Sequence, residues 1–175
     1  MFRLGSSLFI AALCFAGTSA MAQTTANLTD PQIAHIAYTA GKIDIAAADL
    51  ALKKTSNNAV KAFANETLRD HTAVNQKALA SLDKLKVKPE DNDLSESLAG
   101  AAAEQWKELS KLSGAAFDKA YAENEVAYYL TVIGALETTL IPSMKNGELK
   151  SLLETRLTLF KNHHKRAERL VSQLK

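Results

Sequence analysis

An Asp-His pair, Asp70-His71, lies in the middle of a segment whose apolar residues recur with the period of an amphipathic helix. A carboxylate and an imidazole can bind a transition metal together or pass a proton between them, and this combination suits zinc, copper or iron. Polar side chains also occupy positions at or beside the apolar stripe of each further long helical segment. These residues are Asp44, Glu125, Tyr129 and His163. The inward faces of the helices are therefore predicted to meet in a polar centre.

Two interpretations of this polar centre remain open. In the first it binds a divalent metal, because burying charged groups is costly unless they pair or coordinate a cation. The candidate ligands are Asp44, Asp70, His71, Glu125 and His163. In the second the centre is purely structural, with Arg156 neutralising a carboxylate and another carboxylate holding His71. A di-iron site is disfavoured, because Leu68 and Phe160 stand where its Glu-x-x-His motifs would place glutamate.

Four long helices and one shorter helix are predicted to carry these side chains. Apolar residues recur every three or four positions in each long segment, the period of a helix with one buried face. The last segment has the clearest stripe, in which only Arg156 and His163 are polar, and this stripe favours His163 over His164 as the inward histidine. The predicted helices cover about residues 30–54, 57–86, 94–112, 115–145 and 148–174.

The connections between these helices predict how they are arranged. Ser56-Asn57-Asn58 and Asn146-Gly147 are turn signals, so the helices that flank them should form two antiparallel hairpins. The polar, proline-containing segment 86–93 and the shorter helix after it are together long enough to run along the bundle. The predicted fold is all-α: a ferritin-like four-helix bundle, in which a crossover containing the shorter helix joins the two hairpins.

The first residues match a secretory signal. Arg3 precedes the apolar run from Leu8 to Ala16, and Ala20-Met21-Ala22 has the small-x-small pattern of a cleavage site. Cleavage of residues 1–22, before Gln23, would be followed by a short polar lead-in. The domain limits predicted on this basis are 23–28 for the lead-in and 29–175 for a single helical-bundle domain.

Cys14 is the only cysteine of the chain, and it lies within the predicted signal. Lipoprotein processing is disfavoured because Leu13 precedes Cys14 where a small residue would be needed, so a soluble periplasmic protein is expected. Cleavage would leave no thiol, which excludes disulfides, thiolate catalysis and thiolate metal sites.

The charge balance narrows the range of partners. Twenty-one Lys and Arg residues stand against nineteen Asp and Glu residues, and a formal net charge of +2 gives no basis for binding nucleic acid or an anionic membrane. No apolar run after the signal reaches the roughly 18 residues that cross a bilayer, so no transmembrane segment is expected. A protein of the cell envelope remains a candidate partner, and the sequence does not determine the oligomeric state.

The shorter helix, 94–112, carries Leu98, Ala102, Trp106 and Leu109 on one side. This apolar face is predicted to pack across the bundle. The alternative is an interaction module that presents the same face to an envelope partner or a membrane, and burial of Trp106 against the long helices would argue against it.

Three groups of residues resemble the bacterial domain of unknown function 4142 family, over nearly the whole chain from about Thr29 to Leu174. They are Ala62-Phe63-Ala64 leading to Asp70-His71, the segment Gly114-Ala115-Ala116-Phe117-Asp118-Lys119-Ala120-Tyr121, and His163 four residues before Ala167. The resemblance implies an exported protein with a fold similar to that of ferritins. Family members are often described as membrane or outer-membrane proteins, and the resemblance implies no established activity.

The family pattern also bears on single residues of the polar centre. The residues that match it are Asp70, His71, Phe117, Asp118, Tyr121 and His163. Asp44 stands where many members have glutamate, Thr158 where proline is common, and Tyr129 where histidine is common. Because a tyrosine replaces that imidazole, one potential metal ligand is lost. Four further residues are expected to belong to the polar centre without serving as metal ligands: Asp118, Tyr121, Tyr129 and Arg156.

The leading functional hypothesis is a non-enzymatic exported bundle with a binding or stress-related role in the envelope. Its polar centre would be structural or would bind a divalent metal such as zinc, copper or iron. The alternative is a metal-dependent redox or hydrolytic enzyme that uses the candidate ligands.

Overall fold

The structure, a computed structural model, describes residues 28–174, and every regular element within them is helical. The all-α helical bundle predicted from the sequence is thereby confirmed. The predicted signal, its cleavage site and most of the lead-in lie outside the described residues. The helices are α1 (Asp30–Lys54), α2 (Asn58–Lys84), α3 (Asp93–Ser110), α4 (Gly114–Ala135) and α5 (Gly147–Gln173).

Side-chain caps fix where four of these helices begin. The Thr29 hydroxyl accepts from the Gln32 N–H while the Gln32 side chain accepts from the Thr29 N–H, a reciprocal pair that starts α1. Asn57, Asn92 and Asn146 each accept backbone N–H donors in the first turn of α2, α3 and α5. The caps set the register of each helix and so determine which side chains reach the middle of the bundle.

A π-helical turn follows α4, over Leu136–Leu140, and a short α-helical turn, Ile141–Ser143, comes after it. The sequence predicts one uninterrupted helix to about residue 145. The structure differs from this prediction, because the α-helix is interrupted after Ala135. Pro142 has no N–H, and its ring crowds the carbonyl four residues earlier. The helix widens just before it, and the Ile141 N–H donates to the Leu136 carbonyl, five residues back.

The two hairpins, α1 with α2 and α4 with α5, pack side by side, so that α2 contacts α5 and α1 contacts α4. The Asp30 carboxylate accepts from the Lys145 and Asn146 N–H groups, which places the start of α1 beside the end of the second hairpin's first arm. At the other end the Lys54 ammonium donates to the Ser110 carbonyl. Helix α3 therefore runs alongside α1 and covers the edge between α1 and α4.

The apolar side of α3 lies on the bundle. Leu109 is buried, and Leu94, Leu98 and Trp106 are half-buried against the core. Between residues 28 and 174 the exposed large hydrophobic side chains are Leu79 and Leu130, and neither is on α3. The predicted packing role of this face is therefore observed, and the interaction-module alternative has no exposed apolar face on α3 to use.

The long helices supply the core that surrounds the polar centre. Its largest fully buried apolar and aromatic side chains are Tyr121, Tyr129, Phe117, Phe160, Ile33 and Leu136.

None of the helices in the described part of the chain has a stretch long and apolar enough to cross a membrane.

A buried acid and imidazole cluster beside an apolar cavity

The five candidate ligands lie in one continuous row through the middle of the bundle. The Asp44 carboxyl is next to that of Glu125, and its Oδ2 lies 3.0 Å from Nε2 of His71. The rings of His71 and His163 follow, with centroids 5.1 Å apart, and Nε2 of His163 lies 3.3 Å from Oδ2 of Asp70. Only Asp70, at the outer end, is partly exposed. The structure thus places the five side chains next to one another in the bundle interior.

This row does not converge on a point. Among residues 28–174, no group of three or more His, Cys, Asp or Glu side chains is arranged to hold a metal ion. Each group meets its neighbours pairwise, from Glu125 at one end to Asp70 at the other. Asp70 also pairs with the exposed Arg69, which holds it at the outside of the bundle.

The carboxyls of Asp44 and Glu125 form an acid pair in the bundle interior. Burial raises the pKa of Asp44 well above its ordinary value, and the neighbouring Glu125 raises it further. Burial also raises the pKa of Glu125 to about 7, although the adjacent Tyr129 and Asp44 side chains act to lower it. Both carboxyls of the acid pair are therefore harder to ionise than a solvent-exposed carboxyl.

Both histidines of the row are neutral near pH 7. Burial lowers the pKa of His71 well below its ordinary value, and the nearby His163 and Arg156 lower it further. Burial also lowers the pKa of His163, although the carboxylate of Asp70 acts in the opposite direction. Burial, which raises the pKa of Asp44 and lowers that of His71, therefore disfavours the charged form of both partners in this contact.

Arg156 is buried without a carboxylate contact. Its Nη2 donates to Oδ1 of Asn75 at 2.7 Å, and its Nη1 has no hydrogen-bond partner among the described residues. Burial lowers the pKa of this guanidinium to about 10, so it remains charged at neutral pH. The direct neutralisation of a carboxylate by Arg156, one part of the structural interpretation, is not observed. The other part, a carboxylate contact to His71, is made by Asp44. Its charge nevertheless acts at a distance to lower the pKa of Asp44.

The remaining predicted members of the polar centre divide into two groups. Tyr121 and Tyr129 are fully buried near the acid pair, and burial raises the pKa of both phenols well above the ordinary value. Asp118 is buried about two turns before Glu125 on α4 and lies outside the row. His163 faces the interior, whereas the imidazole of His164 contacts Glu168 near the surface.

Three residues that support the polar centre were not predicted from the sequence. Asn75 follows His71 by one turn on α2, and that spacing could have identified it. Gly41 lets the Arg156 side chain cross α1, because a Cβ there would lie 2.6 Å from Nη1. Tyr128 donates from its hydroxyl to the Ala40 carbonyl at 2.8 Å and so bridges α4 and α1. Nothing in the sequence signals the contacts of Gly41 or Tyr128.

A cavity of about 480 Å³ lies between α1, α3 and α4, beside the acid pair. Its walls are mainly aliphatic, with Trp106 on α3 and Tyr128 on α4, and at its inner end it is lined by Asp44, Glu125 and Arg156. The other polar residues of its lining are uncharged, and one of them, Asn124, is next to the Glu125 carboxyl; they are Ser97, Gln105, Asn124, Thr131 and Thr139. The arrangement is that of an apolar chamber with one charged and protonatable end.

Comparison with known proteins yields a family. The family model described as a domain of unknown function (DUF4142) matches residues 16–170, which is most of the chain. None of the curated proteins and none of the solved structures compared with the chain matches it.

Proposed function

The chain belongs to the DUF4142 family, and we propose that it is an exported helical-bundle protein that binds a small, largely apolar molecule. The proposed site is the cavity between α1, α3 and α4. The observation that carries this proposal is the size and lining of the cavity, about 480 Å³ with mostly aliphatic walls and a polar inner end.

Small-molecule sites in proteins are typically clefts of about 300–1,000 Å³, lined by apolar side chains with a few polar groups that fix the ligand's orientation. Protein interiors are otherwise close-packed, and voids larger than a water molecule are few. Here the small side chains of α1 and α3 keep the helices from filling the space, among them Ala40, Ala47 and Ala102. A ligand that covers this apolar wall would stabilise the fold by removing the wall from water.

The cellular setting belongs to the same proposal. The signal-like residues 1–22 support export to the periplasm, and the two hairpins joined through α3 support a ferritin-like arrangement of the bundle. A binding protein needs no reacting groups, and the proposal therefore assigns the polar centre to recognition and stability, with a role in the envelope.

Trp106 provides a direct test, because the only tryptophan of the chain lies in the cavity wall. We expect the neutral fluorescent probe N-phenylnaphthylamine to bind saturably, with one probe per chain, and to quench the emission of Trp106. Ala102→Phe should fill the cavity and weaken binding at least about tenfold, the effect of about 1.4 kcal/mol.

The matched control is Ala99→Phe on the exposed face of the same helix, outside the cavity lining. Circular dichroism and thermal melting should show both variants folded. A probe that does not saturate, or that binds both variants equally well, would contradict the proposed cavity site.

Binding of a divalent metal by the polar centre is the second candidate function. It is favoured by the short contact between Oδ2 of Asp44 and Nε2 of His71, by the adjoining Glu125 carboxyl, and by Nδ1 of His71, which has no hydrogen-bond partner in the described part of the chain. Carboxylate oxygen and imidazole nitrogen are suitable ligands for zinc. Asp70 and His163 would complete the proposed set only if the row were drawn together.

Elemental analysis tests the metal proposal, with protein purified without chelator or affinity tag. Metal binding should give close to one zinc, copper or iron per chain and a rise in melting temperature when that metal is added to metal-free protein. His71→Ala should abolish both effects. Sub-stoichiometric metal with no thermal shift would eliminate this candidate and the metalloenzyme alternative with it.

A further inference from the structure

We infer that the ligand of the cavity carries an uncharged carbonyl group, as in an apolar ketone or ester, and that its carbonyl oxygen accepts a hydrogen bond from Nη1 of Arg156. The inference rests on the proposed function and deepens it, because it names the chemical class that the inner end of the cavity would select.

Side-chain contacts already occupy the two carboxyls of the inner end. The carboxyls of Asp44 and Glu125 contact each other, and the Tyr129 side chain contacts both. Oδ2 of Asp44 lies 3.0 Å from Nε2 of His71, and the Glu125 carboxyl adjoins the Asn124 side chain. The two acids are therefore engaged by neighbouring residues of the bundle, and they do not determine what a ligand must supply.

The guanidinium of Arg156 is the group of the inner end that lacks a partner. The residue is 2% exposed, and its Nη2 donates to Oδ1 of Asn75 at 2.7 Å. Its Nη1 has no hydrogen-bond partner within residues 28–174. A guanidinium nitrogen carries N–H donors and no acceptor, and a buried donor without a partner is costly. The group that a ligand brings to this nitrogen must therefore be an acceptor.

The guanidinium of Arg156 lies at the wall of the cavity. Burial lowers its pKa to about 10, and Tyr128 and Asp44, which line the same cavity, act to raise it, so both lie near the guanidinium. Nη1 lies over Gly41, where a Cβ would be 2.6 Å away, and the preceding residue, Ala40, is part of the cavity wall. The Arg156 side chain also lines a smaller cavity of about 70 Å³ between α1, α2 and α5. It therefore has free space beside it, and a small rotation brings Nη1 into contact with a carbonyl at the inner end.

The groups already present at the inner end favour an uncharged acceptor. One guanidinium and two carboxyls meet there, so a ligand ammonium would lie next to Arg156, and a ligand carboxylate would be a third carboxyl beside Asp44 and Glu125. A charged head group would also lose its hydration on entering a chamber with mostly aliphatic walls, which costs far more than the same transfer of an uncharged polar group. A carbonyl oxygen accepts from Nη1 and adds no charge.

Four eight-carbon ligands test the choice of head group: 2-octanone, octane, octylamine and octanoate. Displacement of N-phenylnaphthylamine from the wild-type chain measures their affinities. We expect 2-octanone to bind at least about tenfold more tightly than octylamine or octanoate.

The carbonyl stretching band of bound 2-octanone reports the hydrogen bond directly. Donation from Nη1 weakens the C=O bond, so the infrared band of the bound ketone should lie at a lower frequency than the band of the same ketone in hexane. Arg156→Met removes the donor and should return the band to its frequency in hexane. The ratio of ketone affinity to octane affinity should fall at least about tenfold in this variant, the size expected for a hydrogen bond to a charged group.

Arg169→Met, at an exposed site on the same helix, is the matched control and should retain both the shifted band and the affinity ratio. Asn124→Ala distinguishes Arg156 from the uncharged amide donor in the lining. A band that returns to its frequency in hexane in this variant would assign the hydrogen bond to Asn124 and overturn the inference.

The wild-type chain provides a second measurement in case Arg156→Met does not fold. In protein labelled with nitrogen-15 at arginine, the Nη–H resonances of the buried Arg156 should shift when 2-octanone binds and stay in place when octane binds. Unchanged resonances, a band at the hexane frequency in the wild type, or octanoate or octylamine binding as tightly as the ketone would each overturn the inference. If N-phenylnaphthylamine still binds in that case, the cavity function survives and only the head-group assignment fails. If neither that probe nor any of the four ligands binds, the proposed function itself fails.

Discussion

Glu125→Gln is expected to raise the free energy of unfolding at pH 8 by about 2 to 3 kcal/mol and to leave it nearly unchanged at pH 4.5. Burial raises the pKa of Glu125 from 4.5 to about 7 in the folded chain. Between these two values the folded state holds a proton that the unfolded state has released. The stability due to this proton is fully present below pH 4.5 and is lost as the pH rises through 7. A glutamine cannot ionise, so the variant avoids the loss.

Urea denaturation at pH 4.5, 6 and 8 measures this effect. The lowered pKa of His71 gives a separate trend, a loss of stability as the pH falls below about 6.5, because the unfolded imidazole takes up a proton that the buried one refuses. That trend is common to the wild type and the variant and cancels in their difference. Glu123→Gln, exposed on the same helix, should follow the wild-type profile. Parallel profiles for wild type and Glu125→Gln would show that the Glu125 carboxyl is not buried as described.

The inward side chains could be predicted from the sequence because helical periodicity alone determines them. Asp44, Glu125 and His163 each fall on or beside an apolar stripe, and a residue on that stripe must face the other helices whatever their exact spacing. The choice of partners could not be predicted in the same way. His71 meets Asp44 and not its neighbour Asp70, because contacts across a bundle depend on small rotations and shifts of whole helices.

The cavity is the part of the candidate site that sequence patterns could not indicate. The stripe of α3 containing Trp106 and Ala102 predicts packing across the bundle, and that packing is observed. The space left beneath it depends on the distances between α1, α3 and α4, which are set by the sum of many contacts and by no single residue. The π-helical turn after α4 could not be predicted either. Pro142 indicates that the helix is disturbed, but it does not specify the form of the disturbance.

Gly41→Ala should destabilise the chain by about 2 to 4 kcal/mol, although alanine forms helices better than glycine. A Cβ at this buried position would lie 2.6 Å from Nη1 of Arg156 and would also collide with the side-chain amide of Asn75. These two side chains are buried and hydrogen-bonded to each other, so neither can move aside into water. The methyl group would break their hydrogen bond and leave a buried guanidinium without its acceptor.

Gly100→Ala is the matched control, because Gly100 lies in the exposed part of α3 and a Cβ there would meet nothing within 4 Å. This substitution should stabilise the chain by about 0.5 to 1 kcal/mol through helix propensity alone. The same substitution is thus expected to lower the free energy of unfolding at residue 41 and to raise it at residue 100. Urea denaturation at one pH measures both changes. A gain in stability at both sites would mean that Arg156 does not cross α1 at Gly41. In that case the guanidinium would no longer be held at the cavity's inner end, and its charge would no longer lower the pKa of Asp44.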